Sequence, residues 1–357
     1  MILNKITFSE VFSVLRFPLS VFIVIFHLFN TQNVETSTWA LTIYSYIRTF
    51  LFWCVSDGVV KVFFIMSGFL MLRKIEVMNK DNYFLILKKR WISLALPYLV
   101  WNILYLLKNN WNVFQQQGLN IFWNCFWTPS AVPDLLGNDV ISSFPLLAPF
   151  WYIRDLIVLT IMIPVLFQLL KKVGWAFLMV SGILYLTRIW IPGCSHTYVT
   201  SLFFFSIGGY FALNKSDVVL FCYNHKGWLL SFGMLLLTAS TIFHVNGIEP
   251  AYSWVSNASG FFAAALFFIA GAYAVRCHKV NAFCVKYSHD AFFIYAFHWF
   301  ILSYVQRVFN LWGGQNSLIV LAKDVLMPFC CVLICILVHR LILKILPSKF
   351  YKLLGDR

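Results

Sequence analysis

Apolar windows close to 20 residues long recur from one end of this 357-residue chain to the other. About 20 residues is what an α-helix needs to cross the hydrocarbon core of a bilayer. Only 11% of the residues are charged, against 61% hydrophobic with 38 phenylalanines. A soluble domain carries about 25% charged residues, so composition excludes a soluble protein. The apolar runs are continuous rather than alternating, which argues for helices and against an outer-membrane barrel. The expected fold is all-α: a polytopic membrane helical bundle of about ten transmembrane helices, forming a single membrane-embedded domain over residues 1–357. The first apolar run lacks a small-residue cleavage site and reads as a retained helix rather than a signal peptide.

The spans expected are Val11–Phe29, Tyr44–Leu72, Trp91–Leu107, Ala148–Leu170, Trp175–Ile191, Tyr198–Leu213, Gly227–Phe243, Tyr252–Val275, Ser288–Phe309 and Ser317–Leu346. The second is too long for one straight span and is interrupted at Ser56, Asp57, Gly58 and Lys61, so it reads as one bent or tilted helix or as two half-elements. The formal net charge is +14. In a soluble protein that would suggest nucleic acid; here the excess lies in short connections, and the positive-inside rule accounts for it. Lys and Arg cluster in the even connections, at Arg73 to Arg90, Lys171 and Lys172, Lys215 and Lys226, and Arg276 to Lys286, and again in the tail at Lys349, Lys352 and Arg357. The odd connections carry few. Both termini are therefore expected in the cytoplasm, with Trp111–Pro145 outside. Pro192 and Gly193 mark a turn. Nine cysteines show no metal-ligand spacing, and no metal site is expected. Cys125 and Cys194 both fall in outer segments, where they could pair.

Within the first span, Arg16 and His27 are eleven residues apart. Eleven helical steps turn the chain about 1100°, roughly 20° past three full turns, and advance it roughly 16 Å. The two side chains therefore share a helix face. In lipid both are costly, and such residues point into a protein interior or a wet cavity. A packing Arg bonded to carbonyls and a satisfied core His would read the same way residue by residue; the register is what sets the pair apart.

Four other stretches carry polar chemistry. Lys88, Lys89 and Arg90 stand at the start of the third span, followed by Pro97 and Tyr98; such a cluster suits phosphate, and it also suits ordinary anchoring. Ser67 and Gly68 end the second span, where a small pair permits close approach of a helix or a ligand. Trp151, Tyr152, Arg154 and Asp155 open the fourth. Arg154 and Asp155 are adjacent, so they face different sides of the helix and need not pair with each other. His298 lies in the middle of the ninth span, either reactive or structurally satisfied.

Taken in order, these stretches resemble the bacterial acyltransferase-three family of polytopic membrane O-acyltransferases, and the resemblance covers nearly the whole chain. Arg16 and His27 are similar to that family's first-helix motif, Val62 to Leu70 to its Phe-Phe…Ser-Gly-Phe segment, and Lys89, Arg90, Pro97 and Tyr98 to its third-helix segment. Trp151 to Leu156 and Tyr295 to His298 resemble its later motifs. The resemblance implies an O-acetyltransferase of the bacterial cytoplasmic (inner) membrane. An acyl group, usually acetyl from acetyl-CoA, passes to a hydroxyl of a surface carbohydrate or its lipid-linked precursor. His27 and Arg16 would be catalytic. Lys88, Lys89, Arg90 and Ser67 would hold the donor, and Trp151, Arg154, Asp155 and His298 would face the acceptor. Acetyl-CoA is a substrate, with no permanently bound cofactor and no nucleic-acid partner. Two departures stand out: the third-helix basic run is partly lysine, and the chain stops after the tenth span, as in stand-alone members without an appended extracellular domain. A transporter or flippase for a glycolipid or polysaccharide also fits ten spans with intramembrane charge. The absence of repeat symmetry argues against it.

Overall fold

The computed structural model describes residues 7–29, 39–109, 111–121, 130–133, 139–142, 145–187, 196–248, 251–311, 317–347, 351 and 354–355. Cys125, Cys194, Pro192, Gly193 and the tail residues Lys349, Lys352 and Arg357 lie outside them. Among the described residues, no two cysteines form a disulfide.

The helical expectation holds. Among the described residues, seven helices are long and apolar enough to cross a membrane: Phe8–Leu28, Thr42–Leu72, Lys80–Asn109, Ile163–Thr187, Lys226–Val245, Trp254–Arg276 and Ala322–Ile345. Thr197–Leu213 is apolar but shorter. Ala291–Asn310 has the length and carries His298, Gln306 and Arg307. The chain is a multi-pass helical membrane protein.

The boundaries differ from the sequence pattern in two places. The stretch expected as a basic connection before Trp91 is mostly helix. Asn79 caps it by accepting from the Asn82 N–H at 2.8 Å, and Lys80–Arg90 runs through a π-helical turn, Trp91–Ala95, into Leu96–Asn109. The break expected at Lys171 and Lys172 is present: two helices within Ile163–Thr187 meet at Val173, whose φ of −131° and ψ of 30° are not helical. The long polar stretch after Lys108 contains a two-stranded antiparallel ribbon, Ser130–Pro133 with Asp139–Ser142, in which Ser130 stands opposite Ser142. The second span is interrupted at Ser56 and Asp57, where its polar residues stand. Trp39–Arg48 passes through a π-helical stretch, Thr49–Val55, to Gly58–Leu72.

Contacts divide the chain into two compact units, Met1–Val62 with Val218–Pro347, and Phe63–Asp217 with Ser348–Arg357. In the first, the helix Phe8–Phe29 packs on Ala251–Arg276, His278–Tyr287, Ala291–Asn310 and Ser317–Ile345. Val24, Leu28, Ile294, Leu302, Met327, Cys331 and Cys335 form its core. Lipid is as apolar as such a core, so close van der Waals fit between helices carries the association. Glycines provide that fit. A Cβ on Gly271 would meet Val11 Cγ1 at 2.8 Å, and one on Gly58 would meet Ala264 N at 2.8 Å.

In the second unit two helices touch backbone to backbone. A Cβ on Gly68 would lie 2.0 Å from the Phe205 carbonyl oxygen, and one on Gly208 would lie 1.9 Å from that of Ile65. Asn102 ties a loop to this unit: its Oδ1 accepts from the Leu147 N–H at 3.0 Å, and its Nδ2 donates to the Tyr98 carbonyl at 2.8 Å.

Candidate active site

The helix Phe8–Phe29 positions Arg16 and His27 on one face and carries Pro18 between them. Pro18 has no N–H to give the Val14 carbonyl one turn back. Arg16 is half-buried, its guanidinium carbon 4.1 Å from the centroid of the Phe12 ring. His27 is half-buried near the other end.

His27 meets a second histidine. The His298 ring stacks on it with centroids 5.4 Å apart and planes 25° apart. Trp299 meets His27 edge-on at 4.9 Å, and Phe26 does so at 5.6 Å. Behind Phe26, Trp53 stacks at 4.9 Å, and His244 stacks on Trp53 at 5.3 Å. His27 therefore sits among aromatic rings and makes no hydrogen bond among the described residues. His298 is fully buried. Its Nδ1 lies 3.0 Å from the Ile294 carbonyl oxygen. A carbonyl can only accept, so Nδ1 carries the proton and Nε2 keeps its lone pair. That Nε2 is buried and has no hydrogen-bond partner. Buried polar atoms are rarely left so. The sequence offered each histidine separately; the fold brings them together.

The second unit holds the other candidates. Arg154 and Asp155 are both fully buried on the helix Trp151–Ile161, and they pair with each other. Arg154 Nε and Nη2 donate to Asp155 Oδ1 at 3.0 and 2.8 Å. Adjacency puts their Cα–Cβ bonds on different faces, but the long Arg side chain curls back across the gap. Arg154 Nη2 also donates to Thr197 Oγ1 at 2.8 Å, and its guanidinium carbon lies 4.7 Å from the Tyr198 ring centroid. Asp155 Oδ2 is buried with no hydrogen bond of its own. Trp151 is half-buried against Phe64, with ring centroids 5.9 Å apart. Ser67 Oγ and Tyr152 Oη share a hydrogen bond of 3.0 Å. Beside Ser67, Gly68 serves close helix packing.

Lys88 and Lys89 are exposed and Arg90 is half-buried. Because they follow one another on a helix, each is turned about 100° from the next. They fan out rather than close on one point. Among the described residues no group of three or more His, Cys, Asp or Glu could hold a metal ion.

Among the described residues, three further ion-pair sites were not expected from the sequence, two of them buried and that of Lys61 partly exposed. Arg48 pairs with Asp324, which also accepts from Tyr44 Oη at 2.8 Å. Asp290 Oδ1 lies 2.7 Å from His339 Nδ1 and its Oδ2 3.4 Å from Arg340. Lys61 pairs with Asp57, and the missing side chain of Gly260 makes room for them. The only sequence signal was that an intramembrane charge requires a partner.

A family model described as an acyltransferase domain matches residues 11–342. No curated protein and no solved structure matches the chain. The match takes in the first-helix Arg16 and His27, the buried Arg154 and Asp155, and His298. The chain belongs to the acyltransferase-three family and is a membrane acyltransferase.

Proposed function

We propose that this protein moves an acetyl group from cytoplasmic acetyl-CoA to a hydroxyl of a cell-surface carbohydrate or its lipid-linked precursor. The observation that carries this reading is the pair of stacked imidazoles in a buried aromatic setting, one of them with an unpartnered lone pair. Acyl transfer to an alcohol needs a base of near-neutral pKa, and imidazole is the side chain that supplies one.

In this mechanism the exposed Lys88 and Lys89 draw the CoA phosphates by long-range attraction, and the half-buried Arg90 grips one of them. Arg16 holds the donor within the first unit, and Ser67 is the candidate donor contact of the second. His27 takes the proton of the acceptor hydroxyl as that oxygen attacks the thioester carbonyl carbon. The carbon–sulfur bond breaks, the thiolate leaves, and the proton held on His27 passes to it to give free CoA. An acetyl-imidazole on His27, later attacked by the hydroxyl, reaches the same products. Carbohydrates carry neighbouring hydroxyls. His298 Nε2, which can only accept, positions one of these while His27 acts on the other. Within the second unit, Trp151 offers an aromatic face and Asp155 Oδ2 an acceptor for a carbohydrate hydroxyl.

The test is transfer of radiolabelled acetyl from acetyl-CoA by the purified protein, with membrane glycolipid extract as acceptor. Label in the glycan fraction is the expected result. Label that appears in no acceptor, from a protein that binds the glycolipid, would overturn the reading and favour a transporter.

A further inference from the structure

Two cations crowd a single phenol at one end of the first unit. Arg276 Nη1 donates to Tyr223 Oη at 2.8 Å. The Arg276 guanidinium carbon lies 4.8 Å from the Tyr223 ring centroid and 5.8 Å from that of Tyr273. Lys226 Nζ lies 4.0 Å from the first ring and 5.8 Å from the second. The two rings are themselves 5.5 Å apart. Three elements build this arrangement: the short helix Val218–Asn224, the start of Lys226–Val245 and the end of Ala251–Arg276.

The cluster lacks a negative charge. Among the described residues, neither Lys226 nor Arg276 has a carboxylate partner. Elsewhere in the same unit Arg48, Lys61 and Arg340 each have one. The nearest acid responds to this imbalance: Tyr223, on the short helix outside the spanning segments, has its phenol pulled down to about 8, first by the hydrogen bond from Arg276 and then by Lys226. Among the described residues, Arg276 still has Nε and Nη2 free of protein acceptors, while Lys226 is hydrogen-bonded to the Tyr223 and Tyr273 phenols, which leaves one of its three ammonium hydrogens for a ligand. Converging donors of this kind suit phosphate oxygens.

The surroundings select the kind of phosphate. Phe221, Trp228, Leu220 and Leu230 are exposed beside the cluster, and Tyr273 is 47% exposed. In a membrane protein such an apolar rim faces acyl chains, and Trp and Tyr sit at headgroup depth. The Lys/Arg bias assigns this end of the helices to the cytoplasmic leaflet, where anionic lipid is found.

We propose that Lys226, Arg276, Tyr223 and Tyr273 bind the phosphate of an anionic phospholipid in the cytoplasmic leaflet, with its acyl chains over Phe221 and Trp228. Arg276 and Lys226 supply the charge. The two phenol rings hold both cations in place, and the lipid phosphate supplies the missing counter-charge.

The test uses the full-length protein in neutral detergent, with no acyl donor present, so its outcome is independent of the reaction proposed above. Thermal unfolding is followed during titration with dioleoyl phosphatidylglycerol, and separately with dioleoyl phosphatidylcholine. Phosphatidylglycerol should raise the melting temperature and phosphatidylcholine should not. Arg276→Gln and Lys226→Gln should each raise the half-saturating phosphatidylglycerol concentration about fivefold. Excess inorganic phosphate should neither reproduce the shift nor compete. If Arg276→Gln does not fold, Lys226→Gln and Tyr273→Ala carry the same expectation. An unchanged phosphatidylglycerol response in the folded variants overturns the site. A shift produced by inorganic phosphate alone overturns the lipid and leaves a soluble phosphate ester as ligand.

Discussion

The His298 ring lies stacked on the His27 ring, with centroids 5.4 Å apart, although 271 residues separate them in the chain. His298 is hydrogen-bonded through Nδ1 to the Ile294 carbonyl, while His27 is in ring contact with His298, Trp299 and Phe26 and makes no hydrogen bond among the described residues. His298→Phe keeps a ring against His27 and removes Nε2. A lost hydrogen bond in a buried site costs about 1–3 kcal/mol, so turnover should fall roughly tenfold to a hundredfold with little change in donor affinity. If the pair acts as a unit, adding His298→Phe to an inactive His27 variant should cost almost nothing more. Steady-state rates of the single and double variants decide this, and an unchanged rate in folded His298→Phe would make the pair a packing feature.

Arg154 and Asp155 are both fully buried and hold each other's charge. Asp155→Asn leaves Arg154 without its counter-charge and should destabilise the protein by about 3–5 kcal/mol. The double variant Arg154→Met, Asp155→Leu removes both charges and should be more stable than Asp155→Asn alone. Thermal melts of the three proteins in one detergent test this. A double variant less stable than the single one would mean that an unpaired Arg154 charge is not what makes the loss of Asp155 costly.

Gly208, at a helix contact, should contrast sharply with Gly227, on an open surface. Gly208→Ala drives a Cβ to 1.9 Å from the Ile65 carbonyl oxygen and must separate two helices. Folded yield should collapse. Gly227 meets nothing within 4 Å, so Gly227→Ala should be neutral or stabilising by up to about 1 kcal/mol. Expression and melting temperature of the two variants are the measurement; equal behaviour would contradict close helix packing at Gly208.

Lys88, Lys89 and Arg90 spread around their helix. If they attract the donor by charge, Lys89→Ala with Arg90→Ala should raise the apparent donor KM while kcat changes little. In the parent protein the donor KM should rise as salt increases, because exposed charges are screened over about 8–10 Å. A donor KM unaffected by both the substitutions and salt would reduce the cluster to an anchor.

Local physics made part of this molecule legible in advance. Bilayer thickness fixes the length of an apolar run, so the helices could be read directly, and the 3.6-residue period placed Arg16 and His27 on one face. Polar residues at Ser56 and Asp57 marked the interruption of the second span. Tertiary partners could not be read in the same way. Asp290 with His339 and Arg48 with Asp324 join residues 49 and 276 positions apart, and no period links them. Arg154 with Asp155 failed for the opposite reason: backbone direction suggested separation, and side-chain length overrode it. Lys171 and Lys172 marked a break between two helices, and the backbone leaves helical geometry beside them, at Val173.

In the proposed mechanism His27 is the group that takes the hydroxyl proton. His27→Gln retains a polar side chain of similar size that cannot take a proton at neutral pH. The direct measurement is acetyl transfer by the purified, folded variant at saturating acetyl-CoA, with donor binding measured on the same sample. A fall in turnover of about 10²–10⁴-fold with donor affinity unchanged is the result predicted. A His27→Gln protein that binds acetyl-CoA and acetylates near the parent rate would contradict it and pass the role of base to His298.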